Sequence, residues 1–152
     1  MTDPDEVVLP ALLRAARGAY SHLIHDRLVA GGFDDIPRNG PFVLGGLVNH
    51  GGSVTGLTRE LGVTKQAASQ LVDTLVVRGY LERVPDPQDG RRMSVQPTSR
   101  GRSAASAVRA GVAEVDGRLA DRLSADELRG LRAGLVALCD IREEWEDRAR
   151  GG

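Results

Sequence analysis

The chain has 152 residues, 41% of them hydrophobic and 27% charged, with a net charge of −1; that balance describes a globular protein and not a disordered one. No apolar run approaches the roughly 20 residues needed to cross a bilayer, and the acidic start MTDPDEVVLP is the reverse of a basic signal peptide, so a cytoplasmic protein with no membrane partner is expected. The single cysteine, Cys139, excludes an intrachain disulfide framework and a multi-cysteine metal site. Aromatic residues make up only 3%, which leaves Leu, Val and Ala to build the core.

Apolar residues at Leu9, Leu12, Leu13, Ala16, Tyr20, Leu23, Ile24 and Leu28 predict a long helix from about Asp5 to Ala30, stopped by Gly31 and Gly32. A shorter helix is expected from Asn39 to about His50, with Asn39 as N-cap and Pro41 in the first turn. In SVTGLTRELGVTKQAASQL, Thr55 caps a short helix with Leu57 and Leu61 on its inner face. Gly62 breaks it and Thr64 caps the next. Two helices so close, with Gly in the turn, read as a helix-turn-helix. The second of them places Ala68, Leu71, Val72, Leu75 and Val76 inward and Lys65, Gln66, Ser69, Gln70 and Asp73 outward.

After Gly79 the period shortens towards two. Leu81–Val84 and Met93–Val95 read as strands joined by the turn-rich PDPQDGRR, a β-hairpin behind the helix-turn-helix. Thr98 then opens a long helix with Ala104, Val108, Val112, Val115, Leu119 and Leu123 inward. The run SADE, Ser124 to Glu127, is a capping box for a final helix. In that helix Leu128, Leu131, Leu135, Leu138 and Trp145 form a seam that calls for a partner helix, interrupted by Arg142. Gly18, Gly111, Gly117, Gly130 and Gly134 fall inside these long helices, each costing about 1 kcal/mol relative to Ala. They mark close helix contacts or breaks.

The expected fold is therefore mainly α with a small β-hairpin wing. The wing follows a helix-turn-helix at 36–98, and long helices at 1–35 and 99–152 flank it. Within 54–102 lie eight basic and five acidic side chains, whereas the segments on either side are each net acidic. A basic centre suits an electrostatic footprint on one face, although an excess this small also arises by chance.

The outward face has the chemistry of a groove reader. Ala67, Ala68 and Ser69 are slim enough for the backbone to approach a base edge. Gln66 and Gln70 offer paired donor and acceptor groups to adenine. Lys65, the only lysine of the chain, is a mobile point charge suited to phosphate, and the free N–H groups at the helix start add an anion site. The plainer alternative is a solvated polar face. In the hairpin, Arg91 and Arg92 at a Gly-containing tip can reach a narrow minor groove, with Asp89 close enough to pair with Arg91 and direct its guanidinium; the alternative there is a solvated charged loop.

These residues resemble the MarR family of transcriptional regulators. LGVTKQAASQLVDTLVVRGYLERVPDPQDGRR is similar to its core pattern, most closely in LGVT, LVDTL, RGYLER and the spacing of Asp89 and Arg91. The resemblance implies a winged helix-turn-helix homodimer whose terminal helices interlock, bound to a pseudo-palindromic double-stranded DNA operator and released by a small-molecule effector or an oxidant. It assigns Thr64, Lys65, Gln66, Ser69 and Gln70 to the recognition helix, and Arg91, oriented by Asp89, to the wing with Arg92 beyond it. Two positions depart from the pattern: Gly90, where a charged residue is common, and Pro97 before Thr98.

Three isolated features carry less. Cys139 is expected to be a buried, inert thiol near the dimer seam, with a thiol-based redox sensor as the alternative. His22, His25 and His50 lack the further ligands a zinc site needs, so no metal and no cofactor are expected. Tyr20 and the segment from Phe42 to His50 are candidates for an effector pocket by resemblance alone. No phosphate-cradling loop, nucleophile elbow or paired carboxylates support an enzyme. The reading is a ligand-responsive repressor, with a protein-interaction scaffold built on the winged fold as the rival.

Overall fold

The computed structural model describes residues 8–50 and 64–150. The order of elements among them is α1 (Leu9–Ala30), α2 (Gly40–His50), α3 (Lys65–Val77), β1 (Leu81–Pro85), β2 (Met93–Pro97), α4 (Ser99–Ala120) and α5 (Ala125–Arg150). The fold is mainly α with one two-stranded antiparallel hairpin. The expected short helix with Thr55, Leu57 and Leu61, and the Gly62 turn, lie outside the described residues. No helix among the described residues is long and apolar enough to cross a membrane. The chain divides into two compact units, 1–114 and 115–152.

The expected start near Asp5 lies outside the described residues; in the first unit α1 begins at Leu9, with Val8 extended before it and Pro10 in its first turn. Pro10 suits that start, because it has no N–H for a carbonyl one turn earlier. Its end is a Schellman motif. Gly32 takes φ 78°, its N–H donates to the Val29 carbonyl at 3.0 Å, and the Phe33 N–H donates to the Leu28 carbonyl at 2.8 Å. The same geometry closes α3: Gly79 takes φ 75°, and the N–H groups of Gly79 and Tyr80 reach the carbonyls of Val76 (3.0 Å) and Leu75 (2.9 Å). Asn39 precedes α2 and Pro41 sits in its first turn, as expected.

The core gathers Ile24 and Leu28 of α1, Val43 and Leu44 of α2, Val72 and Leu75 of α3, Tyr80, Leu81, Val95, and Ala104, Ala105 and Val108 of α4. With small residues facing inward, α4 can approach its neighbours closely. A Cβ at Gly111 would stand 2.8 Å from Ile24 Cα, and one at Gly101 would collide with the Tyr80 carbonyl oxygen. Thr98 caps α4, accepting the Gly101 N–H at 3.0 Å. Its own hydroxyl donates to the Gly79 carbonyl at 2.6 Å. The strands pair from Leu81↔Pro97 to Pro85↔Met93, slightly longer than the sequence suggests. A proline at the end of a two-stranded ribbon removes no interior ladder bond.

In the second unit the capping box forms as read. The Ser124 N–H donates to Glu127 Oε2 at 2.8 Å, and the Glu127 N–H donates to Ser124 Oγ at 3.3 Å. The Ser124 hydroxyl and N–H hold the Glu127 carboxyl below its usual range. Along α5, Leu131, Leu135, Leu138, Ile141 and Trp145 are exposed. Gly117, Gly130 and Gly134 face open space within continuous helices.

Candidate nucleic-acid interface

Helix α3 is built with two opposed faces. Ala68, Val72 and Leu75 are buried, and Lys65, Gln66, Ala67, Ser69, Gln70 and Asp73 are exposed. Thr64 sets its start: Thr64 Oγ1 accepts the Ala67 N–H at 3.2 Å. The Thr64 carbonyl accepts the Ala68 N–H at 3.0 Å. Spacing of three to four residues then fans Lys65, Gln66, Ser69 and Gln70 over the first two turns, on the side away from the core. The five residues assigned to this helix by sequence thus sit together on one exposed surface.

The hairpin tip is shaped by carboxylates acting on the main chain. Asp86 Oδ1 accepts the N–H groups of Gln88 at 2.8 Å and Asp89 at 3.1 Å. The Asp86 N–H donates to the Arg92 carbonyl at 2.8 Å, and the Arg92 N–H to the Asp89 carbonyl at 2.9 Å. Asp89 differs from expectation. Its Oδ1 accepts the main-chain N–H of Arg91 at 3.1 Å, so it fixes the turn that carries Arg91 and not the guanidinium itself. A carboxylate two residues ahead of a turn amide closes an Asx-turn with little loss of side-chain freedom. Arg91 and Arg92 are exposed at this tip. Gly90 needs neither a positive φ nor extra room, so the turn does not require glycine there.

Two contacts escaped sequence reasoning. An ion pair joins Asp73 on α3 to Arg83 on β1, bracing the wing against the helix. At the end of α3 lies a polar cluster around Tyr80. The buried Tyr80 hydroxyl donates to Asp35 Oδ1. Arg100 reaches Asp35 Oδ1 at 3.0 Å, the Tyr80 oxygen at 3.0 Å and the Arg78 carbonyl at 2.9 Å. The Arg78 guanidinium donates to the Asp35 carbonyl. Burial, then the bond to Asp35, pushes the Tyr80 phenol up to about 12, while the Tyr80 hydroxyl holds the Asp35 carboxyl below the usual carboxylate range. Only RGYLER hinted at Tyr80, because Asp35 lies 45 residues away.

A cavity of about 400 Å³ opens between α1, the segment 33–38 and the start of α2. Arg14, Arg17, Arg38 and His25 line it against the single carboxylate of Asp34, with Phe33, Ile36 and Phe42 among the apolar walls. Phe42 thus takes part as expected. Tyr20 packs on the core instead, and the side chains of residues 47–50 lie outside the described residues. His22 is occupied by the Gly18 carbonyl, 2.8 Å from Nδ1. Among the described residues no cluster of three His, Cys, Asp or Glu could hold a metal ion. Cys139, expected to be buried, is exposed, because the α5 seam beside it has no cover within one chain.

Residues 35–92 match a family model described as the MarR family. No curated protein matches the sequence. Among solved structures, the chain is similar to the apo form of wild-type MarR from E. coli (25% identity, 87% of this chain and 96% of that one covered, TM-score 0.60). It is also similar to RV1404 from Mycobacterium tuberculosis (26% identity, 94% and 97% covered, TM-score 0.65). Streptococcus pneumoniae FabT, solved in complex with DNA, shares the fold at 20% identity, with 90% and 96% covered and a TM-score of 0.74.

Proposed function

We propose that the chain, whose residues 35–92 match the MarR family model and whose fold is like that of MarR from E. coli, is a winged-helix regulator of that family: a sequence-specific double-stranded DNA-binding protein and ligand-responsive repressor that acts as a homodimer. The observation that carries this is the α3 surface, where Thr64, Lys65, Gln66, Ser69 and Gln70 lie exposed on a helix whose opposite face is core. Lys65 contacts phosphate, Gln66, Ser69 and Gln70 read base edges, and Arg91 and Arg92 enter the flanking minor groove. Asp89 orients the wing by fixing its turn. FabT and Staphylococcus aureus MepR, of like fold, have both been solved with DNA, which supports DNA as the partner here.

Segment 36–98 is the DNA-binding part, and 1–35 with 99–152 the dimerisation region. Exposed Leu9 and Leu13 on α1 and the open seam of α5 support the second role. Two recognition helices related by a twofold axis would meet half-sites of a pseudo-palindrome about 34 Å apart. The cavity at α1 supports an effector with a negative group and an apolar body, since three arginines and a histidine outnumber one aspartate on its walls. The protein acts by binding, not catalysis.

Mobility shift over a salt series, with duplexes from the protein's own upstream region, tests the reading. Log K should fall by about 0.9 per log unit of salt for each phosphate contact. Replacing Arg91 and Arg92 together by Ala should weaken binding and flatten that slope while leaving the dimer intact. Absence of salt-sensitive binding to any such duplex would refute DNA recognition and favour a protein-interaction scaffold.

A further inference from the structure

We propose that the Asp35–Tyr80–Arg100 cluster is the link through which an occupant of the α1 cavity resets the recognition helix. This rests on the reading of that cavity as an effector site and adds the route by which the site acts. Asp34 and Ile36 are both cavity walls. Asp35, between them, is bound on the other side, its carboxylate to the Tyr80 hydroxyl and Arg100 and its carbonyl to the Arg78 guanidinium.

Arg78 and Tyr80 are the residues that end α3. The Arg78 N–H donates to the Thr74 carbonyl at 3.0 Å and the Tyr80 N–H to the Leu75 carbonyl at 2.9 Å. Arg100 completes the clamp from α4, with its guanidinium 4.4 Å from the Tyr80 ring centroid. Phe33, another cavity wall, meets the same ring edge-on at 6.2 Å between centroids. A molecule that spreads segment 33–38 therefore cannot do so without pulling on the last turn of α3. Asp35, Tyr80 and Arg100 are positioning residues: none of them lines the cavity or belongs to the surface proposed to meet DNA, and they act through the residues that do. The direct apolar route, from Ile36 past Gly40 to Leu75, is the competitor. It can transmit a push, but it contains no bond that must break.

The test uses an occupant built into the chain. Gly18 lines the cavity and a Cβ there meets nothing within 4 Å, so Gly18→Phe fills the space without a backbone clash, with Gly18→Leu as the smaller filler. Amide hydrogen exchange of residues 74–80 and DNA affinity are measured for wild type, Gly18→Phe, Asp35→Ala and the double variant, with Tyr80→Phe as a second break in the link that keeps the ring packing. Filling the cavity in the wild-type background should speed exchange in the last turn of α3 and weaken DNA binding by roughly tenfold, inside the ~5–150-fold range of coupled sites. With Asp35→Ala or Tyr80→Phe present, the same filler should change either quantity by less than about twofold, the signature of a coupling that the double variant has lost. An equal effect of the filler in both backgrounds overturns the link, and so does a filler that leaves α3 exchange unchanged in wild type. Exchange is read without DNA, so a wild-type protein that binds no duplex would sink the regulator reading and still leave the link tested.

Discussion

Gly101 sits buried where α4 crosses the start of the wing, and replacing it with alanine should be far more damaging than helix propensity alone suggests. The new Cβ would fall far inside van der Waals contact distance of the Tyr80 carbonyl oxygen, 3.0 Å from that carbonyl carbon and 3.2 Å from Pro97 Cβ. The oxygen cannot yield cheaply, because it accepts the Thr98 N–H at 3.1 Å. Separating α4 from the strand forfeits that bond at about 1 kcal/mol. Overpacking adds about 1–3 kcal/mol, and the better helix former returns about 1. The net loss is about 1–3 kcal/mol, which for a chain of this length lowers the melting temperature by roughly 2–12 °C. Thermal unfolding followed by circular dichroism, with Gly111→Ala and Gly117→Ala alongside, makes the comparison internal. Gly111→Ala should also destabilise but cost less than Gly101→Ala, because its Cβ would stand 2.8 Å from the backbone Cα of Ile24, a shallower overlap that still forces α1 and α4 apart, and Gly117→Ala, facing open space, should be neutral or stabilising. A Gly101→Ala protein that melts at or above the wild-type temperature would refute the close approach of α4 to Tyr80.

The Tyr80 cluster carries its own pH signature. Folding raises the phenol from an ordinary value near 10 to about 12, so its contribution to stability is complete below about pH 10 and disappears as pH rises through about 12. For Asp35 the folded carboxyl is lowered, so its contribution is present above the ordinary carboxylate range and is lost as pH falls below it. Phenolate absorbance should show a late-ionising tyrosine that vanishes in Tyr80→Phe; an unchanged titration would contradict the bond to Asp35. Cys139 is exposed in the single chain but adjoins Leu138 of the seam, so if the proposed dimer closes over that seam a chromophoric thiol reagent should label it slowly in concentrated protein and faster on dilution. A rate independent of concentration would count against a dimer that covers the α5 seam.

The sequence is legible wherever local chemistry decides the structure. Thr64 can cap only the helix that starts beside it, Gly79 supplies the left-handed residue that closes α3, and Ser124 with Glu127 spells a capping box within four positions. Each of these forms in the folded chain. The wing is equally legible because its turn residues are consecutive. The role of Asp89 is not, since spacing alone cannot say whether a carboxylate prefers the neighbouring guanidinium or the neighbouring amide; turn geometry chose the amide. Asp35, Tyr80 and Arg100 are invisible for a different reason. They are brought together by packing across 45 and 65 residues, and none belongs to a periodic pattern. Gly111 is one of several glycines inside the long helices, but only the folded backbone distinguishes it from Gly18, Gly117, Gly130 and Gly134, which meet nothing.

The expected burial of Cys139 fails because a single chain does not cover its own seam. The series Leu128, Leu131, Leu135, Leu138 and Trp145 has the period of a helix that is covered along one side, and a residue beside it inherits that cover. Within one chain Leu131, Leu135, Leu138 and Trp145 are exposed, as are Leu9 and Leu13 at the start of α1, so both terminal helices present apolar faces that water would otherwise cover at a cost of roughly 25 cal/mol per Å². The winged segment shows the opposite pattern, with its large side chains Val72, Leu75, Tyr80 and Leu81 already buried and polar groups outside. Residues at the ends of the chain thus suit a second copy and those in the middle a polar partner. That division explains why the apolar pattern of α3 predicted burial correctly while that of α5 did not.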